Sequence, residues 1–281
     1  MTGPLVLKFG GELLETADQR APIAAGAASS ASQRPLAIDH GGSRAIDAEL
    51  GRRGIAPKKV DGLRVTDSAT LDVVVAVLAG TANTELVAAL VAAGVAAVGL
   101  TGVDAGLGRA TRVAAHRSTT GAVVDLGSVG DPSDVDASLI ELLLVHGYVP
   151  VIASLGVDGG AARTTPAILN VNADVMACRL ASSLAESDLV IAGATPGVLD
   201  DRGEPLPTLD TDGIDALVAA GTATLGMVAK LEACRAALLE GVASIRIVDG
   251  RQLDATHGVD DALGTTLALS RRLPEQHKQS A

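Results

Sequence analysis

Two glycine pairs stand directly after aliphatic segments that predict buried strands. Gly10-Gly11 follows Leu5–Phe9, and Gly41-Gly42 follows His40 and a predicted strand over residues 35–39. Glycine at the carboxyl end of a strand lets backbone N–H groups approach an anion closely, and a following helix adds its positive end. Neither pair fits the dinucleotide fingerprint G-x-G-x-x-G or the P-loop pattern G-x-x-x-x-G-K-[ST]. The pairs therefore favour a site for a small anionic ligand, and they do not predict a nicotinamide or Walker-type site.

Three charged side chains stand where their charge needs an explanation. Lys8 lies inside an aliphatic strand, where a lysine must reach an edge or serve a buried anion. Lys230 comes near the start of a predicted helix, where a cation opposes the helix dipole unless an anion is bound there. Asp174 begins another predicted helix, and a helix cap explains it without any function. A solvated surface position stays open for both lysines from their sequence context alone.

Short aliphatic strands alternate with helices rich in Ala and Leu along the whole chain. This alternation predicts βαβ units and a mostly parallel open sheet covered by helices, which is an α/β fold. The Gly- and Thr-rich stretch 156–165 is the expected boundary between two lobes of one continuous domain. The lobes then cover residues 1–165 and 166–281.

The secondary structure around this boundary is predicted in less regular pieces. Residues 103–131 are polar and rich in glycine, which favours hairpins, and residues 133–146 predict a helix. Thr66 or Asp67 is expected to cap a helix that runs through Ala79, because either side chain can accept from free N–H groups. A separate helix is expected over residues 84–93.

Composition excludes several classes of partner. The 281 residues carry a net charge of −11 and only 1% aromatics, namely Phe9 and Tyr148, which argues against a nucleic-acid partner. The N-terminus leads into a strand without a basic segment and a long apolar run, and the apolar windows 71–77 and 86–98 are too short or interrupted to span a bilayer. We therefore expect a cytoplasmic protein with a small-molecule substrate and no membrane partner.

Other common chemistries lack their motifs. Cys178 and Cys234 have no disulfide or metal-site spacing and are expected to be buried core thiols. His40 and His116 have no ligand partners at metal spacing, so no zinc site is predicted. The nucleophile-elbow motif G-x-S-x-G is also missing from the sequence.

Taken together, these segments resemble the amino acid kinase family, and within it the enzymes that act on N-acetyl-L-glutamate. The similarity runs nearly end to end, with the motifs in family order. They are K-F-G-G-E at 8–12, H-G-G-S at 40–43, G-L-R-V-T-D at 62–67, N-V-N-A-D at 170–174, P-G-V at 196–198, G-M-V-A-K at 226–230, D-G-R at 249–251 and G-T at 264–265.

The resemblance implies a three-layer α/β sandwich and transfer of the ATP γ-phosphoryl group to the side-chain carboxylate of N-acetyl-L-glutamate, a step of arginine biosynthesis. Lys8 and Lys230 would stabilise the transferring group from opposite lobes, and Asp174 would hold the two ammonium groups together. The substrate-binding residues it implies are Gly10, Gly11, Gly41, Gly42, Ser43, Arg64 and Asn170. Arg64 would grip the α-carboxylate and Asn170 the N-acetylamino acid, with Mg²⁺ on the ATP phosphates.

The resemblance further implies a nucleotide-binding set, made of Ala194, Thr195, Pro196, Gly197, Val198, Leu199, Thr222, Ala223 and Thr224. The chain departs from the family where Ser43 replaces the third glycine of H-G-G-G and where Gly193-Ala194 replaces a Ser/Thr-Asp pair. These departures leave two alternatives open: a sibling kinase for a carrier-bound or modified acidic amino acid, and a binding regulator without turnover. Lys8 lies so close to the start that the long N-terminal helix of hexameric relatives is missing, so a homodimer is expected.

Overall fold

The structure is a computed structural model that describes residues 3–159, 167–221, 225–256, 258–259 and 262–270. Within these ranges the chain forms sixteen strands and eight α-helices. The strands are β1 (Leu5–Phe9), β2 (Leu36–His40), β3 (Lys59–Val60), β4 (Leu63–Arg64), β5 (Ala97–Thr101), β6 (Gly108–Arg112), β7 (His116–Arg117), β8 (Val123–Val124), β9 (Val129–Val135), β10 (Val149–Ala153), β11 (Leu155–Asp158), β12 (Ile168–Val171), β13 (Asp188–Gly193), β14 (Thr208–Asp210), β15 (Ser244–Asp249) and β16 (Gly264–Ala268). The helices are α1 (Ala17–Ala31), α2 (Ser43–Arg52), α3 (Ser68–Val75), α4 (Asn83–Ala92), α5 (Ser138–Val145), α6 (Ala173–Ser183), α7 (Thr211–Ala220) and α8 (Leu225–Leu239).

Eight strands form one sheet in the order β14-β16-β15-β13-β1-β2-β10-β5. The β15–β16 pair is antiparallel, and the other neighbours in this sheet are parallel. The mostly parallel α/β sheet is therefore confirmed. The strands that follow β1 in the first part of the chain lie on one side of it, and β13 to β16 lie on the other side. Such a switch in strand order opens a crevice at the carboxyl ends of the strands.

The two faces of the sheet are covered by different helices, as a three-layer sandwich requires. On β1, Leu5, Leu7 and Phe9 join an apolar cluster with α1 and α4, whereas Val6 joins the cluster that includes α6 and α8. Side chains alternate between the faces of a strand, so Lys8 lies on the α6 side with Val6. This alternation decides which helix the lysine can meet.

A smaller closed barrel of β11, β12, β9 and β6 adjoins the carboxyl end of the sheet. The expected helix over residues 133–146 is wrong in its first part, because β9 continues to Val135 in pairing with β6, and α5 starts at Ser138. The expected lobe boundary between residues 165 and 166 lies outside the described residues.

Helices α3 and α4 join through the π-helical segment Ala76–Ala82 into one helix of 25 residues, Ser68–Ala92. Asp67 caps this helix by accepting from the Thr70 N–H, as predicted. The expectation that no apolar segment here is long enough to span a membrane is wrong, since length and composition alone would allow it. Val74, Leu78 and Leu90 of this helix lie in the apolar clusters of the fold.

Candidate functional site

A cavity of about 250 Å³ opens where β1, β2 and β10 end. Its size suits a metabolite rather than a macromolecule. Every catalytic and substrate-binding residue predicted from the sequence, apart from Lys230, lines it: Lys8, Gly10, Gly11, Gly41, Gly42, Ser43, Arg64, Asn170 and Asp174. Residues that are far apart in the chain are thus collected at one edge of the sheet.

Two lysines converge on one carboxylate at this edge. The Nζ atom of Lys8, on β1, lies 2.7 Å from Oδ1 of Asp174, on α6. The Nζ atom of Lys230, on α8, lies 3.7 Å from Oδ2 of the same carboxylate. The three predicted catalytic side chains are therefore brought together, with the carboxylate between the two ammonium groups.

The low solvent exposure of this triad makes its electrostatics strong. Burial acts to raise the pKa of the Asp174 carboxyl, but the charges of Lys8 and Lys230 outweigh burial and hold the pKa below its usual value. For Lys8, burial acts to lower the pKa, and the Asp174 carboxylate reverses this and raises it. Lys8 and Asp174 are therefore both charged at neutral pH, a cation and an anion that stabilise each other.

Local structure explains why Asp174 is available to the lysines. The cap of α6 is Asn172, whose Oδ1 accepts from the N–H groups of Asp174 and Val175 at 2.9 and 3.3 Å. The prediction that a cap could explain Asp174 is therefore wrong. Cys178 and Cys234, one turn further along α6 and α8, are both buried, as predicted, and both belong to the apolar cluster in which these two helices pack together.

The two glycine loops approach each other closely above the sheet. A Cβ atom at Gly11 would lie only 2.6 Å from the Cα of Gly42, so a larger residue at position 11 would push the loops apart. His40 fixes the second loop, because its Nε2 lies 3.0 Å from Asn83 Nδ2 and its Nδ1 lies 3.2 Å from the Gly41 carbonyl. Burial lowers the pKa of His40 to about 4, so this histidine is a neutral structural group.

The predicted acceptor-binding arginine, Arg64, is held in place by Asp47 and Ser43. Arg64 is 7% exposed, and its Nη1 donates to Oδ1 of Asp47 at 2.5 Å. Its Nη2 donates to the carbonyl and to the hydroxyl of Ser43, both at 3.1 Å. Lys59 donates to the same hydroxyl at 3.2 Å and to Asp47 at 2.9 Å. Ser43 thus anchors two cations.

Asn170 reaches the cavity from β12, in the small barrel. Its Nδ2 donates to Oγ1 of Thr66 at 3.1 Å, which leaves its carbonyl oxygen without a hydrogen-bond partner among the described residues. Asn170 and Arg64 both line the cavity. The cavity therefore offers both amide and guanidinium groups to a ligand.

The predicted nucleotide-binding residues lie beside the cavity, on the loop after β13. Val198 donates its N–H to Thr265 Oγ1 at 2.8 Å, and Gly197 has a φ of +136° with no room for a Cβ, which would lie 2.6 Å from the same oxygen. Thr195, Pro196 and Leu199 are exposed. Ala194 lines a second cavity, of about 420 Å³, together with Glu12 and Arg251. Thr222, Ala223 and Thr224 lie outside the described residues.

Glu12 lies beside Gly193-Ala194, where the chain departs from the pattern of the family that its motifs resemble. Its Oε1 accepts from the Ala194 N–H at 3.2 Å and would lie 3.3 Å from a Cβ at Gly193. The same carboxylate approaches Gly10, where a Cβ would lie 2.3 Å from Oε1. A carboxylate from the β1 loop thus lies beside the Gly193-Ala194 pair.

Sequence reasoning missed Glu12, Asp39, Asp47, Lys59 and Ser154, all of which contribute to the site or to its support. Two of them had a signal: Glu12 directly follows the first glycine pair, and Asp47 lies one helical turn after Ser43 on α2. The described residues contain no group of three or more His, Cys, Asp or Glu side chains that could hold a metal ion.

Comparisons with known proteins agree with the family resemblance of the sequence motifs. A family model described as the amino acid kinase family matches residues 3–249. The acetylglutamate kinase of Symbiobacterium thermophilum is 39% identical over 252 residues, which are 88% of this chain and 84% of that protein. The acetylglutamate kinase of Koribacter versatilis is 38% identical over 272 residues, which are 95% of this chain and 99% of that protein.

A solved structure extends the comparison to the fold. The N-acetylglutamate synthase of Neisseria gonorrhoeae, in complex with coenzyme A and N-acetyl-glutamate, matches with a TM-score of 0.78 at 24% identity. The match covers 96% of this chain but 60% of the synthase chain. At this level of identity the similarity concerns the fold alone.

Proposed function

Because the chain belongs to the amino acid kinase family, we propose that it is an acetylglutamate kinase, which transfers the γ-phosphoryl group of ATP to the side-chain carboxylate of N-acetyl-L-glutamate. The observation that supports this most strongly is the Lys8–Asp174–Lys230 triad at the edge of a metabolite-sized cavity. The product is an acyl phosphate of arginine biosynthesis.

In the proposed mechanism a carboxylate oxygen of the acceptor attacks the γ-phosphorus. A new O–P bond forms as the bond between the γ-phosphorus and the bridging oxygen of ADP breaks. Such a transfer needs positioning and charge neutralisation rather than covalent help. Lys8 and Lys230 supply the positive charge, and Asp174 keeps them from repelling each other before the anions arrive. The backbone N–H groups of Gly11 and Gly42 would donate to the phosphate or acceptor oxygens, since those of Gly10 and Gly41 already donate to the carbonyls of Ala192 and Phe9.

The acceptor is proposed to bind between Arg64 and Asn170. Arg64 uses one N–H of Nη1 for Asp47 and its two Nη2 N–H groups for the carbonyl and hydroxyl of Ser43, so the second Nη1 N–H and the Nε N–H remain for a free α-carboxylate. Asn170 would hydrogen-bond the N-acetylamino group through its free carbonyl oxygen. An acceptor without a free α-carboxylate would leave the Arg64 guanidinium partly unpaired.

We expect Arg64→Ala to raise the KM for N-acetyl-L-glutamate about 10- to 100-fold, because a hydrogen bond to a charged group contributes about 1.5–3 kcal/mol. The effect on kcat should be smaller. Arg64→Lys keeps the charge but loses the bidentate geometry, so its KM should lie between those of the native protein and Arg64→Ala. Arg53→Ala is the matched control, because this arginine directly follows α2 and pairs with Glu49 away from the cavity. An unchanged KM for Arg64→Ala would remove Arg64 from the acceptor site.

ATP is proposed to bind along the loop Ala194–Leu199 and residues 222–224, with Mg²⁺ on its phosphates. Mg²⁺ often uses one or two carboxylates together with substrate phosphates, which agrees with a site that lacks a cluster of metal-binding side chains in the described ranges. Glu12, beside Gly10 and Ala194, is the carboxylate that would face the ion. When bound, the ion would neutralise negative charge on the phosphates.

Further proposals concern the molecule as a whole. The lobes over residues 1–165 and 166–281 would bind the acceptor and the nucleotide. We propose a cytoplasmic homodimer without nucleic-acid or membrane partners. One observation supports the cytoplasmic location and another supports the dimer. Cys178 and Cys234 are free thiols, as cytoplasmic proteins keep them, and Leu142, Val145 and Tyr148 expose apolar surface on and after α5. Light scattering that gives one 28.0 kDa chain per particle would overturn the dimer.

An ATP-dependent assay that traps the acyl phosphate with hydroxylamine tests the proposed function. We expect hydroxamate formation with N-acetyl-L-glutamate that depends on ATP and Mg²⁺. Formation only with a different acidic acceptor would instead support the sibling kinase. No product with any acceptor, from a folded protein that still binds ATP, would support a regulator without turnover.

A further inference from the structure

A buried carboxyl group lies beneath the candidate site and has no role in the mechanism above. Asp39 is 0% exposed. It is the direct neighbour of Lys8 in the parallel pairing of β2 with β1, so both side chains project from the same face of the sheet. Among the described residues, no cation forms an ion pair with Asp39. Burying an ionised carboxylate without such a partner is costly.

The hydrogen bonds around Ser154 indicate which protonation state of the Asp39 carboxyl agrees with the structure. The Ser154 hydroxyl oxygen, on the cavity wall just after β10, lies 3.2 and 3.0 Å from the two Asp39 oxygens and 3.0 Å from the His40 carbonyl. A hydroxyl has one hydrogen and can donate it to only one of these acceptors. If Asp39 is protonated, its O–H donates to Ser154 and the Ser154 O–H donates to His40. Each hydrogen then has an acceptor.

We propose that Asp39 is a positioning residue that works in its protonated form: its carboxyl donates to Ser154, which in turn holds the His40 carbonyl and thereby the Gly41-Gly42 loop. Ionisation of Asp39 would take the Ser154 hydrogen away from His40. It would also place a second negative charge, in addition to that of Asp174, beside Lys8. The positive charge of Lys8 would then be less available to the phosphate. The chain Asp39–Ser154–His40 thus links one buried proton to the shape and charge of the cavity.

The electrostatic surroundings of Asp39 agree with this assignment. Burial raises the pKa of Asp39 to about 8, while the Ser154 hydrogen bond and the charge of Lys8 on β1 lower it in part. Asp174 on α6 is the other charged group that acts on Asp39, and it raises the pKa further. His40, the neighbour on the same strand, is neutral above a pH of about 4. Asp39 therefore holds its proton at pH 7 and loses it above pH 8.

The first test is the pH dependence of the proposed kinase reaction, on which the catalytic part of this inference rests. A group with a pKa of about 8 loses about 90% of its protonated form between pH 7 and pH 9, so kcat/KM should fall about tenfold over this interval. Asp39→Asn keeps a donor to Ser154 and cannot ionise, so its fall should be less than about twofold. Asp39→Ala, which lacks the donor, should also have a flat profile but about tenfold lower activity than Asp39→Asn at pH 7.

Ser154→Ala gives a second reading with the carboxyl intact. This substitution removes the group that links Asp39 to His40, so kcat/KM at pH 7 should be about tenfold lower than that of the native protein, and the alkaline fall should be smaller than tenfold. An alkaline fall of the same size and midpoint in Asp39→Asn would overturn the proposal. So would a kcat/KM of Ser154→Ala at pH 7 equal to that of the native protein.

Infrared spectroscopy tests the protonation without any turnover. The whole protein, labelled with carbon-13 in its aspartate carboxyls, should have a protonated-carboxyl C=O band at pH 7 that disappears at pH 10 and in Asp39→Asn. If this band is present but N-acetyl-L-glutamate is not phosphorylated, the proposed function fails while the state of Asp39 stands. Absence of the band from the native protein at pH 7 would overturn the proposal itself.

Discussion

Lys8→Met is expected to lower kcat by about 100- to 1,000-fold while the KM values for ATP and N-acetyl-L-glutamate change little. The loss of one group that stabilises developing charge in a buried site commonly has an effect of this size. Methionine keeps most of the volume of lysine in the strand but removes the ammonium group 2.7 Å from Asp174. Because the contact to the transferring phosphoryl group strengthens as the reaction proceeds, the loss should appear in kcat.

Steady-state kinetics at saturating substrates measure this effect, with circular dichroism to establish that the variant is folded. Lys58→Met is the matched control, since it makes the same chemical change at an exposed lysine outside the cavity. A kcat for Lys8→Met within tenfold of the native value would remove Lys8 from the reaction.

Asp174→Asn is expected to reduce both activity and stability. Removing one member of a buried ion pair typically costs about 3–5 kcal/mol, because it leaves a buried charge uncompensated. Here two ammonium groups, those of Lys8 and Lys230, would face each other without a carboxylate between them. Their repulsion would spread them apart, so we also expect kcat to fall by about 100-fold or more.

The stability that Asp174→Asn loses is expected to depend on pH. In the native protein Asp174 raises the pKa of Lys8, so this pair stabilises the fold up to the alkaline pH at which Lys8 loses its proton. In Asp174→Asn, burial, the largest influence on Lys8, is opposed only by the weaker effects of Glu12 and Asp39, so we expect the pKa of Lys8 to fall and the unfolded state to bind the proton more strongly. The deficit in the free energy of unfolding should therefore be largest between about pH 4 and pH 9 and should shrink at higher pH.

Urea unfolding at pH 5, 7 and 10 measures this deficit. Asp72→Asn, at an exposed position of α3, is the matched control and should be neutral at all three values. The interpretation of Asp174 as the counter-ion of both lysines would be contradicted by a deficit that does not change with pH.

The sequence predicted the elements whose boundaries depend on local signals. The bounds of β1 agree with the predicted strand Leu5–Phe9, because the aliphatic run ends there at a glycine pair. Asp67 was also predicted as a cap, and the side chain makes the expected bond to Thr70. In these cases the determining contacts lie within a few residues of each other.

Elements that depend on distant partners were predicted less well. Residues 129–135 extend as a strand because β9 pairs with β6 and β12, although Pro132 and the polar residues around it resemble a turn. One helix through Ala79 and a separate helix over residues 84–93 were predicted, but the π-helical segment Ala76–Ala82 joins them into one helix. Neither outcome follows from the local sequence alone.

The residues of the candidate site also divide into those that local sequence predicts and those that depend on distant partners. Lys8, Asp174, Lys230 and Arg64 could be found because they belong to recognisable motifs, and the structure brings them to one cavity or its edge. Glu12 beside Ala194 and Asp39 beside Ser154 were missed, since the partners are 182 and 115 residues apart. Contacts of this kind depend on the register of the sheet and on how its loops meet, which a single sequence does not specify.

The most direct test of the catalytic triad is a crystal structure of the protein with ADP, Mg²⁺, N-acetyl-L-glutamate and a fluoride mimic of the transferring phosphoryl group. We expect the Nζ atoms of Lys8 and Lys230 to lie within about 3.2 Å of the same mimic, with Asp174 still between them. A closed complex in which either nitrogen remains beyond about 3.5 Å of the mimic would contradict the shared role of the two lysines.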